Sequence, residues 1–348
     1  MTLAACGVVL ATAAGIALTS RSPTPGAVSS TPGGGPYQHL RLNAGGDIYH
    51  YAVYVPPGYR ASYPVALVVV LHGCTMTAEQ QAAASGYDAI ARRHRFVVLY
   101  PDVDPLDEAN GRCWKGIWAP SSERRGSGDA GAIADMTRAV MRRWQIDPTR
   151  VYAIGISAGA FEVSILGAAY PDLYAALGVH SGAPYMGGQT ACAAGPLSPN
   201  TNALARAALS AMGSHARVMP VIVFHGDRDN TVPYACGQQT VRQWLRTNEL
   251  ILQHQRRAAL PSTPTFSQHR VPGGDAYTVA AYDVLPGCPV AQLWTIHGMG
   301  HFWSGGSADP ASARYSDPRG PSASAAAWSF FSRWRLSGPV TPCARRGH

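Results

Sequence analysis

A serine flanked by glycines is the first candidate for chemistry in this sequence. Residues 155–159 read Gly-Ile-Ser-Ala-Gly, a Gly-x-Ser-x-Gly pattern. An apolar run over 151–156 precedes the serine, and an alanine-rich stretch of helical length follows it. A sharp turn from a buried strand into a helix is where a nucleophilic serine hydroxyl is held exposed. The sequence therefore predicts Ser157 as a nucleophile, and a plain Gly-Ser turn with Ser157 as a helix N-cap is the alternative.

A serine hydroxyl needs a general base and an acid that orients that base. In the chain order Ser, Asp, His, two later loops supply candidates for these roles. In the first, we favour Asp229 over Asp227, because Asp229 lies further beyond the strand end and can reach a histidine. In the second, we favour His301, in a glycine-containing loop, over His297 at the strand end. Asp227 is expected to hold its turn, and His297 to make a structural hydrogen bond.

Two backbone N–H groups must stabilise the oxyanion of a tetrahedral intermediate. The N–H of Ala158 is one candidate, because it directly follows the nucleophile. The N–H of Cys74 is the other, because Cys74 follows an apolar run over 65–71 and the dipeptide His72-Gly73. Cys74 as a thiol nucleophile is the alternative; no partner histidine is implied for it, and a disulfide explains this cysteine better.

The surrounding elements follow an alternating rhythm. Strand-like apolar runs cover residues 51–55, 65–71, 96–100, 151–156, 220–224 and 292–296. Stretches of helical length and spacing cover residues 77–93, 129–144, 158–170, 237–247 and 322–334. Such alternation favours an α/β fold with a mostly parallel central sheet and helices on both faces. Two longer loops, 102–128 and 182–217, are expected to wall the substrate site.

The chain divides into three parts at the level of sequence. Residues 1–36 are predicted to be a signal or leader segment with a Gly/Pro/Ser-rich linker, 37–340 a single catalytic domain, and 341–348 a C-terminal tail. The apolar, alanine-rich stretch over 3–19 is typical of a secretory signal. An uncleaved anchor or a misassigned start is the alternative. We expect export to the outside of the cell or the periplasm, with no stable membrane span after processing.

Cysteine usage favours the same compartment. Six cysteines lie outside the leader: Cys74, Cys113, Cys192, Cys236, Cys288 and Cys343. None forms a C-x-x-C pair or has zinc-site spacing, so the sequence predicts no metal site and up to three disulfides in an exported protein. Six cysteines allow fifteen connectivities, so spacing alone does not give the pairing.

The charge is basic, with a formal net value of +8 that comes from arginine, since Lys115 is the sole lysine. The arginines are scattered singly or in pairs and do not form a basic run interleaved with aromatic residues. This pattern favours a soluble basic surface and speaks against a nucleic-acid partner.

Together these motifs resemble the esterase/poly(3-hydroxybutyrate) depolymerase family of the α/β-hydrolase superfamily, in order from about Tyr49 to Arg335. The matching segments are Leu-His-Gly-Cys-Thr at 71–75, Cys-Trp at 113–114, Ile-Asp-Pro at 146–148, Arg-Val-Tyr at 150–152, the serine motif at 155–159, and Gly-Met-Gly-His at 298–301 with Trp303, Gly305 and Gly306.

The resemblance implies a secreted carboxylester hydrolase that needs no metal or cofactor. The serine, aspartate and histidine of the family map onto Ser157, Asp229 and His301. Its oxyanion cysteine maps onto Cys74, and the family suggests a Cys74–Cys113 disulfide. Members include polyhydroxyalkanoate depolymerases, feruloyl esterases and acetylxylan esterases.

The leading hypothesis is therefore a secreted esterase of polyester or oligoester substrates, above all poly(3-hydroxybutyrate). Trp114, Trp118 and Trp303 are predicted to form an apolar groove for the substrate; a role in the core is the alternative. A feruloyl or acetylxylan esterase is the second hypothesis. A non-catalytic binding protein on the same scaffold is the third, and it is disfavoured because all three triad candidates occur in the expected order.

Overall fold

The computed structural model describes residues 37–103, 111–187, 200–257, 260, 263–285 and 287–340. The predicted leader over 1–36 and tail over 341–348 lie outside the described residues. The same holds for Cys192 and Cys343, and for residues 104–110 and 188–199 of the two predicted site loops.

A ten-stranded sheet forms the centre of the described molecule. Its strands are β1 (Tyr37–Ala44), β2 (Asp47–Tyr54), β3 (Val65–Leu71), β4 (Val97–Asp102), β5 (Ile146–Ile156), β6 (Ala176–His180), β7 (Val221–Gly226), β8 (Thr265–Arg270), β9 (Ala276–Leu285) and β10 (Cys288–Ile296). Their order across the sheet is β1-β2-β4-β3-β5-β6-β7-β10-β9-β8.

The middle of this sheet is parallel, from β4 through β3, β5, β6 and β7 to β10. Antiparallel strands extend it at both edges, β1 and β2 on one side and β9 and β8 on the other. The continuous apolar runs belong to the parallel part, where both faces are covered; β4 and β7, for example, are buried throughout. In contrast, every residue of β8 is exposed.

Seven α-helices in the described residues accompany the sheet. They are α1 (Ala78–Ser85), α2 (Tyr87–His94), α3 (Gly128–Arg143), α4 (Ala158–Ala169), α5 (Thr201–Met212), α6 (Tyr234–His254) and α7 (Ala323–Phe331). Short 3-10 helices cover Lys115–Ile117 and Gly213–His215. Two-residue strands at Trp303–Ser304 and Ser316–Asp317 pair in parallel, and those at Trp334–Arg335 and Gly338–Pro339 pair antiparallel.

The single helix predicted over 77–93 is wrong, because two helices fill this stretch. A capping box starts α1, in which the Thr77 hydroxyl accepts from the Gln80 N–H and the Gln80 side chain accepts from the Thr77 N–H. Gly86 then ends α1 at φ 62° and begins α2. This left-handed conformation, which glycine adopts readily, turns the chain between the two helices.

One hydrophobic cluster extends from Leu40 to Trp334. It packs the two faces of the sheet against the helices and is rich in the β-branched residues of the parallel strands. Within the described ranges, the structure contains no helix with the length and apolar character that crossing a membrane requires.

Candidate active site

Ser157 lies at a sharp turn between β5 and α4. Its backbone has φ 55° and ψ −126°, a region that residues with a side chain rarely adopt. The two glycines of the motif make the turn feasible. A Cβ on Gly155 would lie 2.5 Å from the carbonyl carbon of Gly159, and a Cβ on Gly159 would lie 2.5 Å from the carbonyl oxygen of His72. The strained turn is thus the local structure that the Gly-x-Ser-x-Gly motif predicts.

The carboxyl ends of the parallel strands meet at the edge of the sheet that holds Ser157. The Ser157 N–H donates to the His180 carbonyl at the end of β6, at 3.0 Å. The Ser181 N–H donates to Phe224 on β7, and the Asp227 N–H donates to Ile296 at the end of β10. These backbone bonds link the serine turn to the loops that follow β7 and β10.

Asp229 and His301 meet between these two loops. The Nδ1 of His301 lies 2.8 Å from Oδ2 of Asp229. The other carboxylate oxygen of Asp229 accepts from the N–H groups of Thr231 and Val232, each at 2.9 Å. The loops are also joined by the Arg228 N–H, which donates to the Met299 carbonyl. The acid is therefore fixed by its own turn and presents one oxygen to the histidine.

The environment of Asp229 keeps it ionised. Its side chain is fully buried, and this burial by itself would raise its pKa. The contact with His225, whose Nε2 is 3.5 Å from Oδ2, and the hydrogen bond with His301 outweigh this effect and hold the pKa of Asp229 well below its usual range. A buried carboxylate of this kind can orient an imidazole and stabilise its charged form.

The alternative pair, Asp227 and His297, also lies in these loops. The Nδ1 of His297 is 2.9 Å from Oδ2 of Asp227, and the Gly298 N–H donates to Oδ1 of Asp227 at 2.8 Å. The second ring nitrogen of His297, Nε2, lies 2.9 Å from the Thr278 hydroxyl. Both nitrogens of His297 therefore have partners, as a structural residue requires.

The loop after β3 comes close to the serine. A Cβ on Gly73 would lie 3.1 Å from the Ser157 Cβ, so the backbone of this loop passes beside the nucleophile. Cys74, the next residue, forms a disulfide with Cys113, as the family resemblance implied. The N–H of Ala158 lies at the start of α4, where the first N–H groups of a helix have no partner within the helix. Cys74 and Ala158 therefore belong to the two segments next to Ser157, and their role as oxyanion donors stays a prediction.

The decisive comparison is with families of known proteins. A family model described as "Esterase PHB depolymerase" matches residues 49–263. The chain belongs to this family. Poly(3-hydroxyalkanoate) depolymerase C of Paucimonas lemoignei is 33% identical over 256 residues, 71% of this chain and 57% of that protein. Acetylxylan esterase A of Emericella nidulans is 29% identical over 238 residues, 65% of this chain and 74% of that protein. Feruloyl esterase B of Neurospora crassa is 26% identical over 230 residues, 62% of this chain and 75% of that protein.

Coverage differs among the relatives of this member of the esterase PHB depolymerase family. The chain spans 57% of the Paucimonas depolymerase and 64% of a probable acetylxylan esterase A of Aspergillus clavatus. Among solved structures, an acetyl xylan esterase from Aspergillus awamori has a TM-score of 0.60 at 22% identity, covering 79% of this chain and 94% of that chain. This likeness, with the sheet order above, confirms the predicted α/β-hydrolase fold.

The predicted tryptophan groove is wrong for two of its three members. Trp114 and Trp303 are fully buried. The indole N–H of Trp114 donates to the His72 carbonyl at 3.0 Å, and that of Trp303 donates to the Ser324 hydroxyl at 3.2 Å. Both are core residues behind the site loops and cannot contact a substrate. Trp118 differs, because it is 53% exposed and available at the surface.

His180, which was not predicted as a site residue, is buried in the core next to the site. His180 is fully buried and stacks on Trp303, with ring centroids 5.1 Å apart. Burial, with the neighbouring His225 and His301, lowers the pKa of His180 to about 3. It is therefore neutral, and its Nε2 accepts from the Ser304 N–H at 3.0 Å. Its position at the end of the strand after the nucleophile helix was the available sequence signal.

Asp102, at the end of β4, is a second residue that the sequence analysis missed. It accepts from the Ala78 N–H at 3.0 Å, pairs with Arg112, and lies 3.3 Å from Nε2 of His72. Arg112 directly precedes Cys113, so this carboxylate fixes both ends of the disulfide-linked segment beside the serine.

Of the other four cysteines predicted to form disulfides, two lie among the described residues. Cys236 and Cys288 are both buried and each is disulfide-bonded. Their bonds, with that between Cys74 and Cys113, agree with the disulfide framework expected for an exported chain.

Proposed function

We propose that this protein is a secreted serine carboxylesterase that hydrolyses ester bonds of a polyester or oligoester, above all poly(3-hydroxybutyrate). Ser157 is the nucleophile, His301 the general base and Asp229 the orienting acid. The hydrogen bond between buried Asp229 and His301, at the sheet edge that carries the Ser157 turn, is the observation that carries the proposal. Membership of the esterase PHB depolymerase family supports the reaction class.

The chemistry follows from this arrangement. With Nδ1 of His301 protonated and hydrogen-bonded to Asp229, Nε2 takes the proton of the Ser157 hydroxyl as Oγ attacks the ester carbonyl. The N–H groups of Cys74 and Ala158 stabilise the oxyanion. His301 then gives its proton to the leaving alkoxide, which departs as the alcohol and leaves an acyl-enzyme. A water molecule, deprotonated by His301, attacks the acyl carbonyl and releases the acid, and Ser157 regains its proton.

The disulfides support the secreted part of the proposal. The Cys74–Cys113 bond and the bonds made by Cys236 and Cys288 suit an oxidising compartment. A polymer outside the cell is too large to cross the cell envelope, so an enzyme that hydrolyses extracellular polymer must be exported.

Hydrolysis of plant cell-wall esters is the second candidate function. The fold likeness to an acetyl xylan esterase, covering 94% of that chain, and the relatives named acetylxylan esterase and feruloyl esterase favour it. Trp118 supports either candidate, because an exposed indole packs equally well on a polyester chain or on a sugar or phenolic ring.

A substrate panel on the purified protein tests the proposal. Emulsified poly(3-hydroxybutyrate), acetylated xylan and methyl ferulate are compared, with p-nitrophenyl butyrate as the general ester. We expect clearing of the polyester by the native protein, and none by Ser157→Ala. Ser329→Ala, at an exposed position on α7, is the matched control and keeps full activity.

Two outcomes would contradict the proposal in different ways. Release of acetate or ferulate without clearing of the polyester would replace the first substrate class with the second. Hydrolysis of p-nitrophenyl butyrate that survives Ser157→Ala would reject the mechanism itself.

A further inference from the structure

Three carboxylates meet in the interior beside the nucleophile helix. Glu123 lies in the loop before α3, Asp129 is at the start of α3, and Glu162 is on α4, five residues after Ser157. Their exposed fractions are 1%, 2% and 0%. One oxygen from each carboxylate lies within 4.8 Å of the other two. We call these residues the carboxylate cluster.

Two members of the carboxylate cluster are anchored by hydrogen bonds. Glu123 accepts from the Ala130 N–H at 3.0 Å. Asp129 accepts from the Lys115 N–H and from the Tyr49 hydroxyl, each at 2.7 Å. These bonds fix the position of both carboxylates, each of which keeps one oxygen within 4.8 Å of the other members of the cluster.

Glu162 differs from its neighbours, because no hydrogen bond of normal length and angle reaches either of its carboxylate oxygens among the described residues, and the backbone of Gly116 gives only a weaker polar contact. Its side chain is fully buried and directed into the cluster. Leaving a buried polar group unpaired is costly, and a buried carboxylate more so. A buried carboxylate of this kind is neutralised either by a bound cation or by a proton.

Lys115 compensates for part of the negative charge. Its Nζ is 3.9 Å from Oδ1 of Asp129 and 3.2 Å from Oδ2 of Asp47, so it is shared with a fourth carboxylate. With all four carboxylates ionised, one ammonium group would leave an excess of negative charge at Glu123 and Glu162, which a bound cation would neutralise.

Two glycines shape the space around the carboxylate cluster. A Cβ on Gly116 would collide with Oε2 of Glu162, and a Cβ on Gly128 would collide with the carboxylate of Glu123. Side chains at these positions would fill the space that the carboxylates occupy.

We propose that Glu123, Asp129 and Glu162 bind one Ca²⁺ ion. The donors are all oxygen atoms, which hard cations prefer. Ca²⁺ takes oxygen ligands at about 2.3–2.6 Å, so ligands on opposite sides are separated by about 4.6–5.2 Å, which the cluster spacing fits. Mg²⁺ requires ligands at about 2.0–2.1 Å in near-ideal octahedral geometry, and it fits this irregular set less well.

The bound ion would link the segment after the Cys74–Cys113 disulfide to the helix that begins next to the nucleophile. Gly116, from the 3-10 helix after Cys113, lies against Glu162 of α4. The ion would thus stabilise the wall of the active site without touching the substrate.

Calcium titration of the full chain, after dialysis against a chelator, tests this proposal. Calorimetry at pH 7.5 should find one Ca²⁺ per chain, with at least about tenfold weaker binding of Mg²⁺. The melting temperature should rise by about 3 °C or more once free Ca²⁺ exceeds its Kd about a hundredfold.

Substitutions within the carboxylate cluster test whether the ion binds there. Glu162→Gln keeps the shape but removes the charge, and it should abolish both the heat of binding and the thermal shift. Glu123→Gln should do the same if Glu162→Gln fails to fold. Asp135→Asn, an exposed acid on the same helix α3, is the matched control and should retain both.

A proton is the competing way to neutralise the carboxylate cluster, since burial and the charges of Glu123 and Asp129 raise the pKa of Glu162 well above its usual range. Absence of calcium binding by the native chain, with Glu162→Gln melting higher than the native chain in chelator, would overturn the proposal in favour of the proton. Unchanged binding in both cluster variants would overturn it by locating the ion elsewhere.

Discussion

Two aspartate–histidine pairs lie in the same two loops, and they have almost the same Nδ1–Oδ2 distance but very different burial. The pair of Asp229 and His301 is 2.8 Å long, and that of Asp227 and His297 is 2.9 Å long. The Asp229 side chain is fully buried and that of His301 is 21% exposed. In the other pair the exposed fractions are 32% and 44%.

Distance alone therefore does not identify an acid–base pair. In both aspartates burial raises the pKa and the histidine lowers it, with a net lowering. Water screens the charges of the exposed pair, whereas the charges of the buried pair interact more strongly because the effective dielectric constant around them is lower. The second nitrogen of His297 is also engaged by Thr278, so it is not free to accept a proton from serine.

Removing each histidine should have the most unequal effects on the two pairs. His301→Ala should lower kcat for p-nitrophenyl butyrate about 10⁵-fold or more, because the serine loses its base. His297→Ala should change kcat by no more than about threefold, since an exposed pair contributes little. If both variants lost kcat by the same factor, the data would not identify His301 as the base.

Replacing the acids is the next test. Asp229→Asn should lower kcat about 10⁴-fold, because an amide in place of the carboxylate favours the wrong histidine tautomer. Asp227→Asn should leave kcat within about threefold of the native value. Steady-state kinetics of both variants at pH 8 measure these changes in kcat. A larger loss of kcat in Asp227→Asn than in Asp229→Asn would assign the orienting acid to Asp227.

The stability contributed by Asp229 should depend on pH. The folded pKa of Asp229 is below its unfolded value of about 3.9, so its stabilising charge is present above that pH and is lost as pH falls below it. Asp229→Asn should therefore be less stable than the native chain by about 2 kcal/mol at pH 7. The gap should narrow below about pH 4. Urea unfolding at several pH values checks this, and a gap independent of pH would contradict it.

The smallest expected effect is that of the exposed pair on stability. Asp227→Asn should lower the free energy of unfolding by about 0.5 kcal/mol at pH 7, because the exposed ion pair is screened by water and salt. Raising the salt concentration should reduce the difference further. A loss as large as that of Asp229→Asn, measured in the same urea experiment, would show that exposure does not separate the two pairs.

The serine turn and the aspartate loop could be predicted because the sequence signals for them are local. A buried strand, a glycine-flanked serine and a turn with two aspartates each occupy a few consecutive residues. Five of the six parallel strands of the centre, all except β6, were likewise evident, since both of their faces are apolar. In contrast, β8 has the sequence Thr-Phe-Ser-Gln-His-Arg and is exposed throughout, so no apolar pattern marked it. β6 is short and lies within an Ala- and Gly-rich region.

What the sequence could not predict depends on contacts between distant segments. The sequence shows where the tryptophans are, but it does not show whether Trp114 and Trp303 pack into the core or line a groove, because their neighbours come from distant segments. The carboxylate cluster joins positions 123, 129 and 162 without any motif spacing. The break at Gly86 is an intermediate case, because a glycine within a helical pattern can either be tolerated inside the helix or end it.

The backbone at Ser157 has a meaning for how such a chain evolves. At φ 55° and ψ −126°, a side chain of any kind is disfavoured by about 1–3 kcal/mol, and glycine would relieve this strain. A lineage selected for folding alone would therefore drift towards glycine at 157 and lose its hydroxyl. Catalysis and stability therefore make opposite demands on position 157, because the proposed reaction needs the hydroxyl and the backbone conformation favours glycine.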